Sequence, residues 1–243
     1  LMDFGKSRTS KERDEWYSLQ KILRQEWVES SLSNLEQEEP DDLMMHPLRL
    51  ALEVQSLMNQ NDWLVIDGGN THFWSEIAVN MAGAQGKELA GILHPGSFSM
   101  LGVGVSFGLA AKLNHPKDRV VIISGDGAFL SGGLSIEAAF QENVPITVVI
   151  DNNGGLTTIS QQQERLFSDE RHVATDFRDI PFHTMFEGMG GHGELVEKPE
   201  DLKPALERAL SSGKTACVNV RTRSAISPIV LATTSKRDKA SIE

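Results

Sequence analysis

Short apolar runs rich in β-branched residues recur along this chain, and the segments between them carry apolar positions three or four residues apart. The runs fall at Trp63–Asp67, 89–93, 120–123, 146–150, 193–196 and 215–220, and each reads as a buried strand. Helical patterns occupy 48–58, 73–81, 101–113, 158–167 and 199–210, and Leu134, Ile136, Ala138 and Ala139 mark another between the third and fourth strands. Regular alternation of this kind predicts an α/β fold, a doubly wound parallel sheet with helices on both faces. Ahead of it, Trp16, Leu19, Leu23 and Trp27 form a helical stripe expected to dock on a neighbouring domain. Residues 30–42 are polar and acidic, contain Pro40 and read as a linker. Residues 169–176 read as a polar turn, 177–186 supply another apolar face, and the last twenty residues are polar and expected to drape over a surface. The expected organisation is a helix and linker (1–45), the α/β domain (46–225) and a tail (226–243).

The strand at 120–123 leads into Gly125-Asp126-Gly127, and the strand at 146–150 ends in Asp151-Asn152-Asn153-Gly154-Gly155. A strand–helix–strand unit with a right-handed crossover makes these strands parallel, so both clusters sit at the sheet edge where ligands of open α/β sheets bind. Gly125 and Gly127 allow a sharp turn and close approach of a ligand. The amides of Ala128 and Phe129 open a helix and form an anion site. Asp126 would repel a phosphate there unless a divalent cation lay between them. Mg²⁺ takes about six hard oxygens, commonly from one or two carboxylates plus substrate phosphates. Asn153 can add an amide oxygen and Gly155 a backbone carbonyl. Asn70 and Thr71, ending the first strand at the same edge, are expected to donate hydrogen bonds to a diphosphate, with a helix cap the alternative for Thr71. The local reading is a metal–diphosphate site.

Gly-Asp-Gly, the 24 residues 128–151, then Asn-Asn resembles the thiamine diphosphate motif of the superfamily of acetolactate synthase, benzoylformate decarboxylase and oxalyl-CoA decarboxylase. The resemblance implies a thiamine diphosphate-binding fold in which Asp126, Asn153 and the Gly155 carbonyl hold Mg²⁺. It implies that Leu101 is the bulky apolar residue under the cofactor, with Met100 as the alternative, and that the Ser99 carbonyl faces the aminopyrimidine. Leu156, Thr157 and Thr158 are expected to line the cofactor or substrate. The chemistry implied is cleavage or formation of a carbon–carbon bond next to a carbonyl: 2-oxo acid decarboxylation or carboligation. The stretch Gly190–Pro199 also looks like oxalyl-CoA decarboxylase and 2-hydroxyacyl-CoA lyase, which keeps an acyl-CoA substrate open. Lys236, Arg237 and Lys239 could meet a CoA phosphate. The family's activating glutamate belongs to a pyrimidine-binding domain that no part of this chain matches. That domain is expected from a longer parent chain or a partner subunit, in a homodimer or homotetramer. The opening on Leu1 rather than Met fits a part of something longer.

Composition narrows the alternatives. With 243 residues, 40% hydrophobic and 23% charged, the chain can bury one α/β core. A formal net charge of −11 argues against nucleic acid or an anionic membrane as the main partner. A single cysteine, Cys217, excludes an intrachain disulfide and reads as a buried hydrophobe, and no apolar run approaches a membrane span, so a cytoplasmic location is expected. Gly102, Gly104 and Gly108 imitate a dinucleotide fingerprint, but the third glycine comes one position late and a loop precedes them. A nicotinamide-dependent dehydrogenase is thus the competing enzyme class, and a noncatalytic scaffold subunit the non-enzyme alternative. His72 and His94 also fall at the site edge, where capping or solvation is the simpler reading than catalysis. His172, His183 and His192 lack zinc-ligand spacing.

Overall fold

In a computed structural model describing residues 10–38, 44–167, 172–228 and 230–231, every apolar run becomes a strand. The strands are β1 (Trp63–Asp67), β2 (Gly91–Leu93), β3 (Val120–Gly125), β4 (Thr147–Asn152), β5 (His192–Val196) and β6 (Ala216–Arg221). The helices are α1 (Ser10–Glu38), α2 (Pro47–Leu57), α3 (Asn70–Ala84), α4 (Gly104–Asn114), α5 (Asp126–Gly132), α6 (Glu137–Gln141), α7 (Thr157–Phe167), α8 (Phe182–Gly188) and α9 (Pro199–Ser211). All pairings are parallel, in the six-stranded order β2-β1-β3-β4-β6-β5. The chain moves outward from β1 to β2 and then crosses to β3 on the other side. That reversal opens a crevice at the carboxyl ends of β1 and β3.

Alternate strand residues feed two separate cores. Leu64, Ile66, Val121, Ile123, Val149, Val218 and Val220 face a cluster built with α2, α3 and α9. Val65, Val120, Ile122, Val148, Ile150 and Cys217 face the opposite cluster with Phe129, Phe182 and Phe186. Both faces of the sheet are therefore covered, as the near-continuous apolar runs require. Burial pushes the Cys217 thiol up, leaving it a hydrophobe rather than a nucleophile.

Several boundaries depart from the periodicity. The expected linker at 30–42 is helical as far as Glu38, because no glycine or proline interrupts it before Pro40 and Leu32 packs on the core. Residues 39–43 lie outside the described residues. Of α1, Val28 and Leu32 reach the core, while Trp16, Leu19, Leu23 and Trp27 stay exposed. Helix α3 starts at Asn70 rather than at 73, so Asn70 and Thr71 form its first turn. Helix α4 starts at Gly104 rather than at 101, because Gly102 adopts φ +89° and cannot belong to it. The helix between β3 and β4 is broken into α5, a 3₁₀ turn and α6; Ile136 and Ala139 are buried but Leu134 is 72% exposed. Part of the turn at 169–176, and most of the tail including Lys236, Arg237 and Lys239, lie outside the described residues. No helix among the described residues is long and apolar enough to cross a membrane.

Candidate functional site

A cavity of about 330 Å³ lies at the carboxyl ends of β1, β3 and β4. Residues 68–73 wall it after β1, 125–128 after β3 and 153–159 (without Gly154) after β4, with Ser99 and Leu101 closing another side. The amino ends of α3 and α7 bound it, with the shorter α5 between them. The first-turn amides of α3 lack intrahelical partners, while at α7 Thr157 and Ile159 already bond to Gly155 and Leu156, and the positive ends of the helix dipoles at these walls favour an anion.

Asp126 ties the loops together. Its Oδ1 accepts the Gly127 amide at 2.6 Å, and its Oδ2 accepts the amides of Gly154 and Gly155 at 2.8 and 2.9 Å. The turn after β4 is thus fastened to the start of α5 by a carboxylate that is only 3% exposed. Close approach accounts for Gly127: a Cβ there would stand 2.5 Å from Leu156 Cδ2. Burial, and then the nearby charge of Asp151, push the Asp126 carboxyl up to about 7 despite its three amide donors. Asp151 is itself buried, held by the hydroxyls of Thr71 (2.7 Å) and Thr222. Asp67 ends β1 beside them, also buried and also shifted up by desolvation. Three buried carboxyls at neighbouring strand ends make an electrostatic problem that a cation would resolve.

Orphaned polar atoms mark where a ligand belongs. Asn153 Oδ1, Asn70 Oδ1 and Thr158 Oγ1 are buried without a hydrogen-bond partner among the described residues. Such groups are costly unless something completes them. Asn153 Oδ1 is the amide oxygen expected to bind metal. The Gly155 carbonyl accepts the Thr157 amide at 2.9 Å and keeps its second lone pair. The donor set, one carboxylate with amide and carbonyl oxygens, suits Mg²⁺.

All but one of the residues expected at the site line the cavity: Asn70, Thr71, Ser99, Leu101, Gly125, Asp126, Gly127, Ala128, Asn153, Gly155, Leu156 and Thr157. The exception is Phe129, whose ring turns away into the core against Phe182 and Phe186. Between Leu101 and Met100, Leu101 is on the wall and Met100 is not. For the donor role expected of Asn70 and Thr71, the structure leaves their backbone amides at the amino end of α3. The Asn70 amide nitrogen donates to Gln161 Oε1 (2.8 Å) and Thr157 Oγ1 (3.3 Å), and the Thr71 hydroxyl donates to Asp151. Their side-chain hydrogens are committed within the protein.

The sequence reading missed Gly68, Gly69, Phe73 and Ile159 on the wall, and the orphaned oxygen of Thr158, whereas His72, expected at the site edge, is on the wall. It also missed Asp67, which accepts the amides of Gly102 (3.1 Å) and Gly104 (2.7 Å) and so caps α4 from a distance. An acid closing a strand was the available signal. The glycines of the 102–108 stretch serve packing instead of a dinucleotide: a Cβ on Gly104 would meet Asp67 and one on Gly108 would stand 2.5 Å from Ile122. None of them lines the cavity.

The family model for the thiamine pyrophosphate enzyme C-terminal TPP-binding domain matches residues 67–220. A probable acetolactate synthase of Mycobacterium bovis is 35% identical over 184 residues, covering 75% of this chain and 32% of that protein. A catabolic acetolactate synthase of Raoultella terrigena is 28% identical over 176 residues, covering 72% of this chain and 30% of that protein. A 2-hydroxyacyl-CoA lyase 2 of Mus musculus is 30% identical over 174 residues, covering 71% and 26%. The chain spans about a third of the length of these curated relatives or less.

Proposed function

The chain belongs to the thiamine pyrophosphate enzymes as their C-terminal TPP-binding domain, and from that membership we propose that it forms the diphosphate and Mg²⁺ half of an active site for acetolactate synthase-like 2-oxo acid decarboxylation and carboligation. The observation that carries the reading is the pairing of the clamped, buried Asp126 carboxylate with the orphaned Asn153 Oδ1 in one cavity. Asp126, Asn153 and the Gly155 carbonyl would hold Mg²⁺. The amino ends of α3 and α7 would receive the diphosphate, and Leu101 and Ser99 the rest of the cofactor. Thiamine diphosphate, when bound, supplies the electron sink for breaking or making a bond next to a carbonyl. This chain's part is to hold and orient it and to neutralise its diphosphate.

Completion by another domain fits the surface beside the cavity. Phe98 and Met100, on the loop that carries Ser99 and Leu101, are 90% and 59% exposed. In this reading a pyrimidine-binding domain, from a longer chain or a second subunit, covers that loop and contributes the activating glutamate. The stretch 190–199 runs through β5 at the far end of the sheet from β1 and β2, entering where Gly191 packs near Thr215, and none of it lines the cavity. A panel of 2-oxo acids and 2-hydroxyacyl-CoA thioesters, given to the protein together with its pyrimidine-binding domain, cofactor and Mg²⁺, tests the reading. Acetolactate formation is expected; cleavage of the thioesters alone would replace this reading with the lyase one.

The Asp126 carboxyl, raised to about 7 against about 3.9 in an unfolded chain, predicts a pH effect with a definite sign. A raised folded-state pKa means the metal-free fold holds the proton more tightly than the unfolded chain. That stabilisation is complete below about pH 4 and is lost as pH rises through 7. Asp67 and Asp151 shift the same way. Mg²⁺ requires the ionised carboxylate and removes the penalty. Thermal melts should therefore show greater stabilisation by Mg²⁺ and cofactor at pH 8 than at pH 6. Equal or smaller stabilisation at pH 8 would contradict the assignment of Asp126.

A further inference from the structure

A second constellation adjoins the same cavity, with His72 on its wall, outside the Mg²⁺ donor set. His72 and Glu76 are one turn apart on α3 and so share a face. His72 Nε2 lies 2.9 Å from Glu76 Oε1. His94 reaches them from the loop after β2. Because β2 pairs in parallel with β1, that loop and the start of α3 emerge at one sheet edge. The His72 and His94 rings sit 5.3 Å apart between centroids with their planes at 80°. One ligand atom from each of His72, Glu76 and His94 falls within 4.8 Å of the other two.

We propose that His72, Glu76 and His94 form a binding site for a Zn²⁺-class transition-metal cation at the rim of the cofactor cavity. Two imidazoles and a carboxylate are a zinc donor set, and three protein ligands leave a fourth position for water or another ligand. Imidazole nitrogen selects Zn²⁺, Ni²⁺ or Cu²⁺ over Mg²⁺, which prefers oxygen, so the two sites separate by chemistry. The site is largely assembled before metal arrives. His72 is buried and already aimed at Glu76, whereas Glu76 and His94 are open enough for entry. Two changes are required: His72 Nε2 gives up the proton it shares with Glu76, and His94 releases Gly96. The Gly96 amide now donates to His94 Nδ1 at 3.2 Å. Whichever ring nitrogen coordinates, the other carries the proton, or Nδ1 itself is taken, so the Gly96 amide turns to solvent. A bound cation would fasten α3 to the loop that carries Ser99 and Leu101.

Titration of the full chain with Zn²⁺ against a chromophoric chelator, and with Co²⁺ followed by its visible absorption, tests this site. One equivalent should bind, with the intense spectrum of a four-coordinate ion, and excess Mg²⁺ should not displace it. His94→Ala and Glu76→Gln change exposed or half-exposed side chains and should each weaken Zn²⁺ by at least about tenfold, since even outer-shell partners are worth about 10–100-fold. Asp126→Asn should leave Zn²⁺ binding unchanged, with circular dichroism confirming that each variant is folded. Unchanged Zn²⁺ affinity in folded His94→Ala and Glu76→Gln would overturn the site. Loss in Asp126→Asn but not in His94→Ala would overturn it too, by placing Zn²⁺ in the Mg²⁺ position.

Discussion

Asp126→Ala should lower Mg²⁺-dependent thiamine diphosphate affinity by at least about 100-fold. Loss of an outer-shell partner alone costs about 10–100-fold, and here the lost group is the only carboxylate of the proposed Mg²⁺ donor set. The substitution also strips acceptors from the amides of Gly127, Gly154 and Gly155, so the turn presenting Asn153 and Gly155 loses its tether. Asp126→Asn separates these effects. Its amide oxygen can still accept from Gly154 and Gly155, losing only the Gly127 bond, so the turn should stay in place while the charge opposite Mg²⁺ is gone. Calorimetry with the pyrimidine-binding domain present, with and without Mg²⁺, reads both. Both variants should lose the metal-dependent part of binding, and only Asp126→Ala should also melt at a clearly lower temperature. Wild-type affinity in Asp126→Asn, or binding that ignores Mg²⁺ altogether, would remove the metal bridge from the account.

Local sequence carried much of this site because its chemistry is concentrated in two strand-to-helix turns. Gly125-Asp126-Gly127 and Asn152-Asn153-Gly154-Gly155 follow apolar runs whose strand character is unambiguous, and parallel pairing brings their ends together without further information. Boundaries failed where a distant residue decides them. Within 101–104 only Gly102, at φ +89°, delays α4; the rest of the delay comes from Asp67, more than thirty positions away, accepting the amides of Gly102 and Gly104. Asn70 and Thr71 look like a polar loop, yet they begin a helix because the turn at Gly68-Gly69 is complete before them. Their side chains then meet Gln161 and Asp151, partners that only the assembled sheet edge supplies. Phe129 was legible as an amide position but not as a core residue, since the direction of its ring depends on where α8 packs. The His72, Glu76 and His94 grouping has no motif at all: two members share a helix turn, and the third arrives through strand pairing.

Asp67→Ala should be the most damaging change that touches no proposed ligand of Mg²⁺. The carboxylate is 1% exposed and accepts from Gly102 and Gly104, so its removal leaves two amides at the start of α4 without acceptors. An orphaned buried donor costs about 1–3 kcal/mol, which puts the loss near 3 kcal/mol. For a domain of this size that corresponds to a fall of about 6–12 °C in melting temperature. The damage should extend to binding, because Gly102 adjoins Leu101 and the loop from Gly96 to Val103 hangs between β2 and this cap. Asp67→Asn distinguishes acceptor chemistry from volume: it fills the same space but offers one oxygen where the carboxylate offers two. It should recover part of the stability and part of the affinity. The charge that raises the Asp126 carboxyl is that of Asp151, so removing the Asp67 charge should leave Mg²⁺ binding at Asp126 itself unchanged. Weaker cofactor binding in folded Asp67→Asn would therefore report the loosened hold on the Leu101 loop. Binding equal to wild type would mean that the Asp67 cap does not position Leu101.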